Sequence, residues 1–371
     1  MYGFNISAFK DMTGGQTKIP KGDYLESGDI PIIDQGQDLI GGYTNERQAV
    51  CDIRLPCVVF GDHTKIFKFV TKPFALGADG VKVLSEANNI DPKFAYYFLN
   101  TLNLPNVGYS RHFRFLKRTF FPLPPLEEQR RIAAILDKAD GVRRKRKEAI
   151  RLTEELLKST FLEMFGDPVT NPKGWEVIGL GKISQIQGGL QVTPARKELP
   201  LEVPYLRVAN VYRDKLLLDE IKNIRVTSSE LERINMKAGD ILIVEGHGNK
   251  EEIGRSSVWD GSIENCVHQN HLIRVRLDPN KAEPIYISAY LNSAGGRCQL
   301  TKFGKTTSGL NTISTSNVKA TKVLCPPIEM QKRYLDFQRK LTEAKNASVQ
   351  HLEQSENLFN SLLQRAFRGE L

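Results

Sequence analysis

Three histidines lie close along the chain, His247 in VEGHG and His268 and His271 in HQNHL. Imidazoles at such a spacing could ligate a metal, but no carboxylate at a fitting spacing accompanies them, so they read as polar loop chemistry. Gly304-Lys305-Thr306 ends like a phosphate-binding loop, yet Gln299 stands where that loop needs its first glycine. The two Pro-Pro sites read LPPL and CPPI, not the Asn-Pro-Pro-aromatic run of an adenine methyltransferase. No GxGxxG run follows a strand, and the Glu343/Lys345 pair lies in a helical stretch rather than beside a nuclease-like acidic cluster. Five scattered cysteines without a CxxC pair support neither a disulfide framework nor a zinc site. The chain is read as non-catalytic, without a metal or cofactor of its own.

These side chains must be carried by folded domains. The 371 residues suffice for two or three of them, and 40% hydrophobic content excludes wholesale disorder. No apolar run approaches the roughly 20 residues of a membrane span. The N-terminus lacks the basic-then-apolar layout of a secretory signal, so a cytoplasmic chain is expected. The net charge of +9 favours a polyanionic partner mildly, and the excess is spread along the chain rather than held in a tail.

The strongest organising signal is an internal repeat. LPPLEEQRRIA at 123–133 recurs as CPPIEMQKRYL at 325–335, pairing Pro124 with Pro326, Glu127 with Glu329, Gln129 with Gln331 and Arg131 with Arg333. The register continues without a gap to Leu156/Leu358, Ser159/Ser361 and Phe165/Phe367. Both copies lack proline after their start, and prolines followed by glutamates suit a helix N-terminus. Apolar positions step by three and four. In the first copy the stripe is Ile132, Ile135, Ala139, Val142, Arg146, Ile150, Thr153, Leu157, Thr160, Met164. In the second it is Tyr334, Phe337, Leu341, Ala344, Ser348, Leu352, Ser355, Phe359, Leu362, Ala366. Such a stripe needs a partner helix, and two in one chain are expected to pack on each other. The basic run RRKRK at 143–147 reads as a solvated face.

Residues 1–121 and 169–323 differ in kind from the helical segments at 122–168 and 324–371. They hold short β-branched and aromatic runs such as CVVFG (57–61), KIFKFV (65–70), DILIVEG (240–246) and HLIRVRL (271–277), broken by turn formers. Each also carries a short helical stretch, DPKFAYYFLNTL (91–102) and EPIYISAYLNS (283–293). An α+β class follows: two globular domains, each followed by a long helix.

At the repeated Pro-Pro-x-Glu-x-Gln unit, and over the whole chain, the sequence resembles the specificity subunit of type I restriction–modification systems. PLPPLEEQRRIAAILDKAD (122–140), running on to FGDP (165–168), is the specific signal. The resemblance implies that each globular region is a target-recognition domain reading half of a split DNA site. It implies an antiparallel coiled coil that spaces the halves and recruits two methyltransferase subunits, with restriction subunits joining that core. S-adenosylmethionine and ATP would then reside on the partners. The second domain opens with WEVIGLGKIS (175–184) whereas the first starts abruptly at Tyr2, so the first is expected to be short or trimmed. Two alternatives remain open: a recognition subunit for a fused methyltransferase–nuclease, and a coiled-coil scaffold with no nucleic-acid role.

Sequence readout needs polar groups at base edges and basic ones on phosphates. In the first domain the candidates are His63, Lys65, Arg111, His112, Arg114 and Lys117. In the second they are His247, Asn249, Lys250, His268, Gln269, Asn270, His271, Lys302, Lys305, Thr306, Thr307 and Asn311.

Overall fold

The computed structural model describes the chain apart from residues 1–2, 6–8, 78–79, 87–88, 106–110, 117–119 and 308. It consists of two compact units, Met1–Ala149 with Ser348–Leu371, and Ile150–Ala347. Each globular region therefore shares its unit with half of each long helix.

In the first unit the strand Cys57–Gly61 lies between Phe67–Val70 and Val81–Glu86, and Phe9–Asp11 completes an antiparallel sheet. Every residue of Cys57–Gly61 is buried. Side chains alternate across a strand, so the two faces feed different cores. Val58 and Phe60 meet the helix Pro92–Leu99 and the long helices through Phe94, Ile132, Leu136 and Phe359, while Cys57 and Val59 pack with Ile33, Phe74 and Leu76. A second, mixed sheet joins Lys18–Ile19, Ala75–Gly77, Ile30–Ile33 and Gly42–Thr44.

The second unit repeats this plan with other residues. Ile241–Val244 is buried throughout and pairs with Leu272–Leu277 and Ser256–Val258, with Ser184–Gly188 at the far edge. Ile241 and Ile243 face the helix Pro284–Asn292, whose Tyr286 and Ile287 lie in the same core, and Leu242 and Val244 face Trp259 on the opposite side. Lys222–Val226, Leu201–Leu206 and Val267–His268 form a separate three-stranded sheet.

The long helices span Leu126–Phe165 (40 residues) and Ile328–Arg368 (41 residues), each beginning just after its Pro-Pro pair. They run antiparallel. In the first unit Arg131 Nη2 donates to Leu371 O at 2.8 Å and Lys147 Nζ meets Glu356 Oε1 at 2.9 Å. In the second, Lys345 Nζ meets Glu154 Oε1 at 2.7 Å. Positions that are at least partly buried recur every seven residues along each helix. They are Gln129, Leu136, Arg143, Ile150, Leu157, Met164 with Ile132, Ala139, Arg146, Thr153, Thr160. The second helix matches at Gln331, Gln338, Lys345, Leu352, Phe359, Ala366 with Tyr334, Leu341, Ser348, Ser355, Leu362. A seven-residue period is that of a coiled-coil seam.

Ile132, Ile150, Leu157, Leu341, Leu352, Phe359 and Leu362 thus lie where the pattern put them. Three other positions need correction. Ile135 and Phe337 only flank the seam, and Val142 is 43% exposed. Leu136, Gln338 and Arg143 take their places. Adjacent residues point about 100° apart on a helix, and the apolar character of Val142 outweighed that of Arg143. Arg143 nonetheless turns inward, because its aliphatic stem packs while its head binds Asp140 Oδ1 at 2.5 Å.

Candidate nucleic-acid interface

In the second unit the apolar run Ile241–Val244 ends at Glu245, where the chain leaves the sheet. Gly246–His247 then pairs antiparallel with Leu310–Thr312, which also pairs with Lys305–Thr307. This ribbon fixes the loop 246–250. Asn311 Nδ2 donates to Gly248 O at 3.0 Å, the Asn249 amide donates to His247 Nδ1 at 3.0 Å, and Asn249 Oδ1 accepts from the Glu251 amide at 3.0 Å. The backbone of His271 is tied to the same place, its carbonyl accepting from the Glu245 amide at 2.9 Å. A Cβ at Gly246 would lie 3.4 Å from His271 Nδ1, so the imidazole packs directly on this glycine.

The result is a patch of partly exposed Glu245, His247, Gln269, Asn270 and His271 beside exposed Asn249, Lys250, Lys302 and Lys305. The polar groups can address base edges and the lysines phosphates. Asn311 is buried and serves as the brace. Thr306 and Thr307 are placed by backbone pairing in the strand Lys305–Thr307.

His268 is corrected. It is fully buried with Nδ1 3.2 Å from Leu272 O, and burial pushes its pKa down to about 4, helped by nearby Arg274. A neutral imidazole in the core is out of reach of DNA. Sequence reasoning missed Glu245, whose burial pushes its carboxyl up to about 7. The available signal was a lone carboxylate ending an all-apolar strand.

In the first unit the equivalent corner is built on Asp62, itself buried. Its Oδ1 accepts from the Phe113 amide at 2.7 Å, and its carbonyl accepts from the His112 amide at 3.0 Å. His112 Nδ1 lies 2.8 Å from the same carbonyl, and the ring is buried. His112 is therefore a second correction, an internal bracket that a backbone acceptor drew inward. It holds the turn Phe113–Leu116, on which Arg111 and Arg114 stay exposed at either side. The Arg114 guanidinium lies 4.8 Å over the Phe115 ring. His63 and Lys65 are partly exposed, and Lys65 Nζ reaches Leu104 O at 3.5 Å. Lys117 lies outside the described residues.

Among the described residues no group of three or more His, Cys, Asp or Glu side chains could hold a metal ion. None of the described helices is long and apolar enough to cross a membrane.

Residues 4–152 and 172–355 each match the type I restriction modification DNA specificity domain. The chain belongs to that family. Its two specificity domains correspond to the two globular regions with adjoining helix. The chain is 28% identical over 272 residues to the EcoKI specificity subunit of Escherichia coli K12, covering 67% of this chain and 57% of that subunit. It is 25% identical over 268 residues to the StySPI specificity subunit of Salmonella potsdam, again covering 67% and 57%. The matches thus span little more than half the length of these curated relatives. In fold it is similar to the type I restriction–modification S subunit of M. genitalium, with a TM-score of 0.62 at 15% identity over 98% of this chain and 95% of that one. That likeness covers both globular regions and both long helices of this chain.

Proposed function

We propose that this chain reads a bipartite, asymmetric DNA site, one half with each globular region, and brings methyltransferase and restriction subunits to it. The observation that carries the proposal is the unequal duplication. Two helices share one seam register, while the corners they support carry different side chains, Asp62/His63/Arg111/Arg114 in one and Glu245/His247/Asn270/His271 in the other. Like scaffolds with unlike loops suit two half-sites of unlike sequence. The exposed basic residues hold the duplex through phosphates, and the polar groups discriminate bases.

Partner subunits fit the remaining surface of the helices. Leu152, Leu156 and Leu358 lie off the seam and are 49%, 46% and 58% exposed. Leu152 and Leu156 stand one helical turn apart, and such contiguous exposed apolar surface suits a protein partner. S-adenosylmethionine, ATP and the reacting groups belong to those partners in this reading. The chain's own contribution is register and selectivity.

The test is selection from a random duplex library by the chain assembled with its methyltransferase partner. Two short defined sequences at a fixed gap are expected. Failure to enrich any sequence overturns the proposal.

A further inference from the structure

Gln129 and Gln331 stand at the same register of the repeat, and neither has exposed surface. Their surroundings repeat as well. Gln129 Oε1 accepts from the Asp91 amide at 2.9 Å, and its Nε2 donates to Pro124 O at 2.8 Å and Asn89 O at 3.0 Å. Gln331 Oε1 accepts from the Glu283 amide at 2.9 Å, and its Nε2 donates to Pro326 O at 2.8 Å. Asp91 and Glu283 are the N-cap residues of Pro92–Leu99 and Pro284–Asn292, the short helices of the two recognition domains, and both helices begin with proline. Pro124 and Pro326 are the first prolines of the two Pro-Pro pairs. Each amide thus joins three segments: the start of a domain helix, the Pro-Pro turn and the start of a long helix.

The sequence around these sites has diverged, while the bonds to the N-cap amide and to the proline carbonyl recur in both. Asp91 caps its helix with its own carboxylate, accepting from the Lys93 and Phe94 amides, whereas Glu283 makes no side-chain cap bond. The glutamine is the shared element. An aromatic contact closes the other side of each short helix. Phe367 lies 5.3 Å from Phe94 in the first unit, and Phe165, its partner in the repeat, lies 4.6 Å from Tyr286 in the second. Each domain helix is pinned at its N-cap by one long helix and along its flank by the end of the other.

We propose that Gln129 and Gln331 are positioning residues that index each recognition domain to the start of its long helix, so that each sets discrimination at one half-site without touching DNA. This rests on reading the chain as a DNA-specificity subunit. The chemistry requires an amide. The site needs one acceptor for an N-cap N–H and one donor for a proline carbonyl, and a buried partner left without its bond is costly. Base-edge hydrogen bonds work only near 3 Å, so a domain free to rock by an ångström or two at its anchor loses selectivity before it loses its fold.

The experiment repeats the duplex selection with Gln129→Met and Gln331→Met in the assembled complex. Gln129→Met is expected to lower base discrimination at one half-site at least tenfold and to admit gaps one base pair longer or shorter. The other half-site should read as in the parent, binding to non-specific duplex should stay within twofold, and Gln331→Met should reverse the pattern. Gln129→Glu supplies the variant that keeps size and acceptor. Its buried carboxylate takes up a proton on mild acidification and regains a donor, so selectivity at the affected half-site should recover as pH falls from 8 to 6 (a recovery the methionine variant cannot show). Loss of melting temperature with unchanged base preference and gap would reduce the glutamines to packing and overturn the proposal. So would a Gln129→Glu chain that reads both halves like the parent at pH 8. Should the parent itself select no split site, the functional reading fails first; should the parent select one and the variants read it equally well, the indexing role alone fails.

Discussion

The guanidinium of Arg143 lies 4.4 Å from the centre of the Phe359 ring. The two residues sit on opposite long helices of the first unit, and the contact places a cation in a seam position that the neighbouring Val142 leaves unused. Arg143 is also bonded to Asp140, so its charge is met on one side by a carboxylate and on the other by an aromatic face.

This arrangement gives a stability prediction. Arg143→Ala removes the cation–π contact, worth about 0.5–1 kcal/mol at partly exposed sites, together with the packing of the arginine stem. A loss of about 1–2 kcal/mol is expected from the sum. Val142→Ala should change stability by less than about 0.5 kcal/mol, as surface substitutions do. Denaturant melts of the two variants check the order. A larger effect at Val142 would return the seam to the expected stripe.

The contrast between these neighbours shows what the sequence could carry. The repeat, the long helices and the buried strands were legible, because a gapless register and strings such as VVF and ILIV depend on local pattern alone. Which of two adjacent residues enters the seam was not, since Ile135 or Val142 serves a three-and-four stripe as well as Leu136 or Arg143. The histidines show the same limit. His63 and His112 are both polar loop residues in sequence, and only the path of the chain brings the Asp62 carbonyl to His112 and draws its ring inside. His268 went the same way through Leu272 O, while His271, three residues on, stayed at the surface.

Glu245 makes stability depend on pH in a stated direction. Burial raises its folded pKa to about 7 from 4.5. A raised carboxyl pKa favours the protonated folded state, so its contribution is fully present below about pH 4.5 and is lost as pH rises through 7. Glu245→Gln should therefore be more stable than the parent at pH 8, by on the order of 1–2 kcal/mol because the group is partly solvated. The difference should close by about pH 4.5. Chemical melts at several pH values decide, and a gap that widens on acidification would reverse the assignment.

The lysines and the polar loop residues should separate in binding. Lys302→Ala and Lys305→Ala are expected to lower affinity alike for all duplexes and to flatten its salt dependence, as the loss of a phosphate contact does. Asn270→Ala and His271→Ala should reduce discrimination by roughly 1–3 kcal/mol at one half-site. Titrations on matched and mismatched duplexes over a range of salt test both. If neither pair has an effect, the DNA face of the second unit lies elsewhere.

A length change should act on the gap alone. Four residues inserted near Lys147 nearly preserve a face that steps by three and four, and add about 6 Å of helix. That is close to two base pairs at about 3.4 Å each. The recognised halves should keep their sequences while the unspecified gap lengthens. An active complex that modifies only the original spacing would remove the helices from the spacing role.

One chain is expected to read two unlike half-sites at a fixed distance, and genome-wide mapping of methylated adenines, in cells with and without this chain, decides it. The expected result is one asymmetric split motif with a constant gap, modified only when the chain is present. A continuous or palindromic motif, or a methylation pattern indifferent to the chain, would rule out readout of two unlike half-sites by this chain.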